Sequence, residues 1–261
     1  YASGRVIWLS ALVGGALFGL GMVLASGCGS KTLVRIGGGS LKSLVVFVVM
    51  GVASFATLRG VTAVLRNETV DQVAFDLAPG SGLPQLLAAA SGWSATHTTL
   101  WLGLAVGGLL VMWAVLGKGF CTADNLLAGV GIGGTVAAMW WVSGRLGFVA
   151  EHPETLEAVY LASNSGRMES LTFTAPMAYA LDWLMFFSDR SKVLTLGVVS
   201  VAGVVFGAFV YALLTRSFRW EGFRDTRDTA LHLAGAVCMG VGGVTAMGCT
   251  VGQGLSGLST L

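Results

Sequence analysis

Long stretches without charged residues constrain this chain more than any other feature of its sequence. Residues 6–30, 77–117 and 229–261 contain no Asp, Glu, Lys or Arg. Only 11% of the whole chain is charged, whereas an ordinary soluble domain carries about a quarter. Because about 20 apolar residues cross a bilayer as an α-helix, we predict an all-α polytopic membrane protein. This composition excludes a soluble globular enzyme and a disordered chain.

The charged residues between these stretches delimit the predicted helices. We expect about seven transmembrane helices and two or three half-membrane or re-entrant helices. The predicted spans lie at about 6–27, 43–65, 100–116, 125–144, 171–188 and 193–215, with a further span and a re-entrant turn within 229–261. The short apolar run 83–90 predicts a half-helix. Four arginines between residues 216 and 228 place that loop in the cytoplasm by the positive-inside rule.

An internal repeat is the strongest local signal. Residues 19–28 read GLGMVLASGC and residues 240–249 read GVGGVTAMGC, which agree at six of ten positions. Each copy ends an apolar helix, and a glycine-rich polar stretch follows it. We expect one membrane domain over residues 1–261, with pseudo-symmetric repeat elements at about 6–65 and 193–261. Since the chain begins with Tyr1 rather than Met, we also expect its N-terminus to be incomplete.

Three cysteines mark glycine-rich helix breaks and indicate a route for an anion. Gly27-Cys28 and Gly248-Cys249 belong to the repeat, and Cys121 lies between two other apolar segments. Helix N-termini at such breaks present unpaired backbone N–H groups, which favour an anion. A thiol there offers a weak hydrogen bond to sulfur. We therefore predict a substrate pathway for a thiol-binding anion, lined by these cysteines and their glycines.

Other residues near these breaks are secondary candidates. Arg35 and Lys118 are predicted to attract the anion, although each also fits a role as an interfacial anchor. The remaining candidates are Cys238, Lys31 and Asp124. Cys238 lies eleven residues before Cys249, so one continuous helix would place both on nearly the same face. Packing is the competing interpretation for every one of these cysteines.

The sequence argues against several other ligands. The net charge of +2 provides no basic field for a polyanion, so we expect no nucleic-acid partner. The cysteines form no C-x-x-C pair, and we expect neither a metal site nor a cofactor. The G-x-G-x-x-G at 129–134 follows no strand and is not interpreted as a dinucleotide site. Four glycine pairs instead predict helix contacts: 15/19, 103/107, 129/133 and 203/207.

At these residues the chain resembles the YeeE/YedE family of bacterial inner-membrane sulfur transporters. The matching stretches are GMVLASGCGSKTLVRIGGGS at 21–40, GKGFCTADNLLAGV at 117–130 and GVGGVTAMGCTVGQGLSGLS at 240–259. Lys31 stands where family members commonly have glycine, and the middle element reads Phe-Cys where many members read Cys-Phe.

The resemblance implies a central cysteine-lined route between pseudo-symmetric halves. It implies thiosulfate as substrate, passed by transient S–H···S contacts, and a soluble sulfur-carrier protein or sulfurtransferase as cytosolic partner. Another reduced sulfur anion or a selenium analogue remains open. So do two other functions, a non-transporting membrane subunit of a sulfur-metabolising or respiratory complex and a membrane thiol oxidoreductase. We expect transport rather than catalysis, in the bacterial inner membrane.

Overall fold

The computed structural model describes residues 4–76, 82–92, 94–117, 119–151, 158–189 and 193–260. Within them the helices are α1 (Trp8–Leu24), α2 (Gly29–Gly37), α3 (Leu41–Arg59), α4 (Val61–Glu68), α5 (Leu83–Ser91), α6 (Ala95–Leu116), α7 (Ala123–Trp141), α8 (Thr174–Met185), α9 (Leu196–Leu214) and α10 (Thr226–Thr245). Two short antiparallel ladders pair β1 (Arg5–Val6) with β2 (Phe75–Asp76) and β3 (Phe148–Val149) with β4 (Val159–Tyr160).

The predicted class, an all-α polytopic membrane protein, is confirmed. Five stretches are long and apolar enough to cross a membrane: Trp8–Gly37, Leu41–Arg59, Ala95–Leu116, Ala123–Leu146 and Leu196–Leu214. The half-helix expected at 83–90 is present as α5. Helix α10 has twenty residues, so it is also about 30 Å long, but it begins with charged residues.

Two predicted spans have different boundaries in the structure. The span expected at 43–65 is divided at Gly60, whose extended backbone ends α3 and starts the short helix α4. The span expected at 171–188 is reduced to α8, whose twelve residues extend only about 18 Å. Pro176 does not interrupt α8, because a proline in the first turn removes no intrahelical hydrogen bond. Hydropathy alone does not locate such ends.

The core of the fold is a close antiparallel contact between α1 and α10. Glycines allow the two backbones to touch at two levels, Gly14 against Gly242 and Gly21 against Gly235. A Cβ atom on Gly21 would lie 2.7 Å from the carbonyl oxygen of Gly235, and one on Gly235 would lie 2.8 Å from that of Gly21. Only glycine permits this approach.

The eight glycines predicted to form helix contacts do not form them within the described part of the chain. A Cβ atom built on any of them would meet nothing within 4 Å. The contacting glycines are instead seven residues apart on α1 and on α10. A four-residue spacing marks a possible face, but in a glycine-rich chain it does not identify the face that is used. The prediction was wrong for that reason.

The ends of α3 define two faces of the molecule. Three arginines of the connection between α9 and α10, together with one in the first turn of α10, form what we call the arginine face: Arg216, Arg219, Arg224 and Arg227. The turn before α3 is held to this connection, since Gly38 accepts a hydrogen bond from the Arg219 N–H and Leu41 donates one to Glu221. The other end of α3 lies about 28 Å away, at what we call the vestibule face.

The glycine contact predicts a selective effect of one added methyl group. In Gly242→Ala the new Cβ atom would lie 2.7 Å from the carbonyl oxygen of Gly14. We expect a loss of about 1–3 kcal/mol of stability, measured as a lower melting temperature in detergent. The control is Gly203→Ala in α9, where the Cβ atom meets nothing within 4 Å. Equal melting temperatures for the two variants would contradict the contact.

Candidate functional site: two broken helices with a cysteine at each break

Both copies of the repeated motif end their helix with the same hydrogen bonds. In the first copy, the Gly27 N–H donates to the Met22 carbonyl at 2.9 Å, and in the second the Gly248 N–H donates to the Gly243 carbonyl at 2.8 Å. The residue before each glycine is left-handed, with φ of 59° at Ser26 and 58° at Met247. This is the usual way to close a helix C-terminus. Each chain reversal delivers the following cysteine at a break.

Cys28 stands at the start of the helix α2. It is the N-cap residue, and its half-buried thiol lies 3.1 Å from the hydroxyl oxygen of Ser30. The first turn of α2 places the backbone N–H groups of Ser30 and Lys31 near the sulfur, although neither forms a capping hydrogen bond with it. A helix N-terminus carries a partial positive charge, so this end of α2 favours an anion beside the thiol.

Cys249 occupies the corresponding place after α10 and is more deeply buried. Only 4% of its surface is exposed. Its sulfur accepts hydrogen bonds from the backbone N–H groups of Phe173 and Gly252, each at 3.3 Å, and lies 3.8 Å from the Thr172 hydroxyl. Phe173 and Thr172 belong to the segment before α8, so a distant part of the chain completes the surroundings of this thiol.

The structure brings these two cysteines into one cluster. Cys249 belongs to the buried core, and Cys28 packs against that core. Thr250 connects them, because it follows Cys249 directly and its hydroxyl interacts with the Cys28 thiol. The same hydroxyl donates a hydrogen bond to the sulfur of Met22 at 3.5 Å. The Thr250 hydroxyl and the Met22 thioether therefore lie beside Cys28, in the region between the two breaks.

A cavity of about 360 Å³, which we call the vestibule, leads to the second break from outside the core. Its wall includes Gly248, directly before Cys249, and Leu58 at the end of α3. Its polar lining comes from three separate segments of the chain: Arg66 and Asp71; Asn164, Ser165, Glu169, Thr172, Thr174 and Tyr179; and Thr245. The vestibule is therefore a polar chamber on one face, with a thiol behind its inner wall.

The charges of the vestibule are arranged unequally. Arg66 pairs with Asp71 at 3.0 Å, and the Ser10 hydroxyl donates a second hydrogen bond to the same carboxylate. Burial raises the pKa of the Glu169 carboxyl, and its interaction with the Ser165 hydroxyl lowers that pKa by a smaller amount. In the described part of the chain, no cation pairs with Glu169. The vestibule thus contains one neutralised ion pair and one carboxyl group inclined to hold a proton.

A long polar side chain covers each glycine of the two breaks. A Cβ atom on Gly27 would lie 2.8 Å from the Lys31 stem, and one on Gly248 would lie 2.8 Å from the Gln253 amide. The Gln253 amide also donates to the Met247 carbonyl at 3.0 Å. Sequence reasoning identified Lys31 but missed Gln253, although it is a polar residue within a charge-free stretch.

The other predicted residues lie away from this cluster or remain untested. Cys121 is exposed between α6 and α7, with its sulfur 3.9 Å from the Val115 carbonyl, and it is outside the core that holds the other two thiols. Asp124 lies in the first turn of α7, where the helix dipole stabilises a carboxylate. Arg35 lies in the last turn of α2. Lys118 lies outside the described residues.

Cys238 does not share a helix face with Cys249. Helix α10 ends at Thr245, and the left-handed residue Met247 reverses the chain before Cys249. The eleven-residue spacing therefore does not translate into a common face, and that expectation was wrong. Cys238 is half-buried within α10, and all four cysteines are free thiols.

The burial of the thiols predicts an order of reactivity toward a small, water-soluble thiol reagent. We expect single-cysteine variants to be labelled fastest at Cys121, more slowly at Cys28 and slowest at Cys249, because they are exposed, half-buried and buried in turn. The rates are followed by mass spectrometry of the labelled protein. Denatured protein, in which the three rates should converge, is the control. Labelling of Cys249 as fast as Cys121 would contradict the described burial.

Comparison with known proteins identifies the family of this chain. A family model described as Sulphur transport matches residues 1–261. The chain is 29% identical to the thiosulfate transporter TsuA of Escherichia coli strain K12, over 98% of this chain and 69% of that protein. It is 26% identical to the thiosulfate transporter TsuA of Spirochaeta thermophila, over 96% of this chain and 70% of that protein. Since the family model matches the whole chain, the protein belongs to the Sulphur transport family.

Proposed function

We propose that this protein transports thiosulfate across the bacterial inner membrane by a route that passes Cys249 and then Cys28. The observation that carries the proposal is the pair of equivalent helix breaks, each delivering a cysteine into one core. The family membership and the two thiosulfate transporters to which the chain is similar support the substrate. The five apolar stretches support a multi-pass location.

The chemistry of the two thiols suits a sulfur anion. The Cys249 sulfur accepts hydrogen bonds from two backbone N–H groups, which leaves its S–H hydrogen to donate to a ligand. The Cys28 thiol lies within hydrogen-bond distance of the Ser30 hydroxyl, and its S–H hydrogen donates to the ligand in this proposal. A hydrogen bond accepted by a group strengthens the one that it donates. Thiosulfate carries a terminal sulfur of low charge density, which matches a weak S–H donor. Sulfate, which has only oxygen atoms, loses more hydration on leaving water than this site returns.

The antiparallel contact of α1 and α10 suggests the order in which the substrate meets the two breaks. Helix α1 runs from the vestibule face toward Cys28, and α10 runs from the arginine face toward Cys249. The substrate then meets Cys249 beside the vestibule and reaches Cys28 near the first turn of α2, where Lys31 covers the break. Broken helices that meet between two halves are a common plan for transporter sites.

The arginine face provides the exit in this proposal. By the positive-inside rule, its arginines support a cytoplasmic location for this face. A soluble sulfur-carrier protein or sulfurtransferase would receive the sulfur there. Arg35 lies on the same helix as Cys28, one turn beyond Lys31, and would attract the anion toward that side.

The decisive experiment is uptake of labelled thiosulfate into proteoliposomes that contain only this protein. We expect Cys249→Ser and Cys28→Ser each to abolish most uptake, because serine retains the size of cysteine but lacks its polarisable sulfur. Cys238→Ser, a half-buried cysteine away from both breaks, is the matched control and should retain most uptake.

Competition by unlabelled anions tests the sulfur-specific step in the same vesicles. Excess sulfate should inhibit labelled uptake much less than excess thiosulfate does. Full uptake in either serine variant would show that the thiol does not contact the substrate. No uptake by the unmodified protein alone would favour a non-transporting subunit instead.

A further inference from the structure

A buried hydroxyl without a partner lies in the wall of the vestibule. Thr174 is only 1% exposed, and within the described part of the chain its hydroxyl oxygen has no hydrogen-bond partner. Its residue lines the same cavity as Thr172, whose hydroxyl lies 3.8 Å from the Cys249 sulfur. A buried polar group without a partner costs free energy, so proteins seldom retain one without a reason.

We propose that the vestibule holds an oxyanion-binding site in front of Cys249, in which the Thr174 hydroxyl donates to an oxygen of the substrate. This inference rests on the proposed function and adds a binding step before the thiols. The donor is positioned by its place in the first turn of α8, against Gly243 of α10. Thiosulfate has three oxygens and one terminal sulfur. Its oxygens can therefore bind in the vestibule while its sulfur points at Cys249.

Replacement of one hydroxyl by a methyl group tests this site. Thr174→Val preserves shape and removes the donor. Because a hydrogen bond to a charged ligand is lost, we expect the thiosulfate concentration at half-maximal uptake to rise about tenfold. The melting temperature should not fall, since the hydroxyl has no partner among the residues that the structure describes.

A matched threonine should behave in the opposite way. Thr57 is fully buried, but its hydroxyl donates to the Ala53 carbonyl at 2.8 Å. Thr57→Val should therefore lower the melting temperature. If Thr174→Val folds poorly, comparison of Thr174→Ser with Thr174→Ala repeats the test, since serine retains the hydroxyl. If the thiosulfate concentration at half-maximal uptake were unchanged in the variants that lack the hydroxyl, the proposed binding site would be overturned. If the unmodified protein itself showed no uptake, the proposed function would be overturned instead.

A second inference rests on a different residue of the same cavity. The Glu169 carboxyl faces a chamber that a dianion must cross, and the charged groups around it come from several elements. Arg66 of α4 is paired with Asp71 of the following 3₁₀ turn, and Tyr179 of α8 lies close enough to interact electrostatically with Glu169. Arg59 of α3 and Asp182 of α8 also interact electrostatically with Tyr179.

We infer that Glu169 controls uptake through its protonation. An ionised Glu169 repels the substrate, and a protonated Glu169 admits it and offers a further O–H donor. Burial raises the pKa of this carboxyl, so the protonated form persists to higher pH than it would in an exposed glutamate. The anion itself stabilises the protonated form, so substrate and proton bind together.

The pH dependence of uptake tests this second inference. With the vestibule face outward, uptake by the unmodified protein should rise as the outside pH falls through the pKa of Glu169. Glu169→Gln, which is permanently neutral, should transport well at alkaline pH and lose most of this dependence. Glu68→Gln, an exposed carboxyl at the end of α4, is the control and should keep the original profile.

A measurement on the unmodified protein makes the test independent of that variant's folding. Thiosulfate added to weakly buffered protein in detergent, above the pKa of Glu169, should cause proton uptake. Parallel pH profiles for the unmodified protein and Glu169→Gln would overturn the inference, as would binding without proton uptake. Uptake that depends on Cys249 would persist in either case, so the proposed function is judged separately.

Discussion

The glycine-mediated contact between α1 and α10 is the constraint on which the rest of the structure depends. Gly14 and Gly21 lie against Gly242 and Gly235, and no side chain separates the backbones. Because the two helices are antiparallel and carry the same motif, this contact relates their broken ends by an approximate two-fold rotation. Dispersion between close backbones, rather than burial of apolar side chains, stabilises such a contact in lipid. The two cysteines enter one core only because the helices come this close.

The two helix breaks cost little free energy in this structure. A break within a membrane leaves carbonyl and N–H groups that lipid cannot satisfy. Here the Gly27 and Gly248 N–H groups return to carbonyls five residues earlier, so each helix end is closed internally. The Gly252 N–H of the next turn donates to the Cys249 sulfur instead, and the first N–H groups of α2 lie near the Cys28 sulfur. A thiol accepts these donors without a full charge, and it remains able to release a passing anion.

The vestibule differs from these breaks, because only some of its polar groups have hydrogen-bond or ion-pair partners. The cation of the vestibule is paired with Asp71, so the vestibule does not hold a dianion tightly. Its hydroxyls and its half-buried carboxyl offer weaker and more adjustable contacts. A transport site requires this balance, because a group that binds an anion strongly also retains it. In the proposed mechanism, Thr174 and Glu169 belong to a chamber that admits substrate, and the thiols form the selective step beyond it.

The sequence by itself determined the class of this protein and the position of its two principal thiols. Charge-free stretches require membrane helices, and a repeated ten-residue motif produces the same hydrogen bonds wherever it closes a helix, because that closure is local. Only the tertiary structure decided which glycines touch, since eight glycines with a suitable spacing are unused and Gly14 and Gly235 had no local signal. It also decided the vestibule, whose walls come from residues 58–71, 164–179 and 243–248. The sequences of those separate segments do not predict that they share a cavity, because their proximity follows from how α3, α8 and α10 pack.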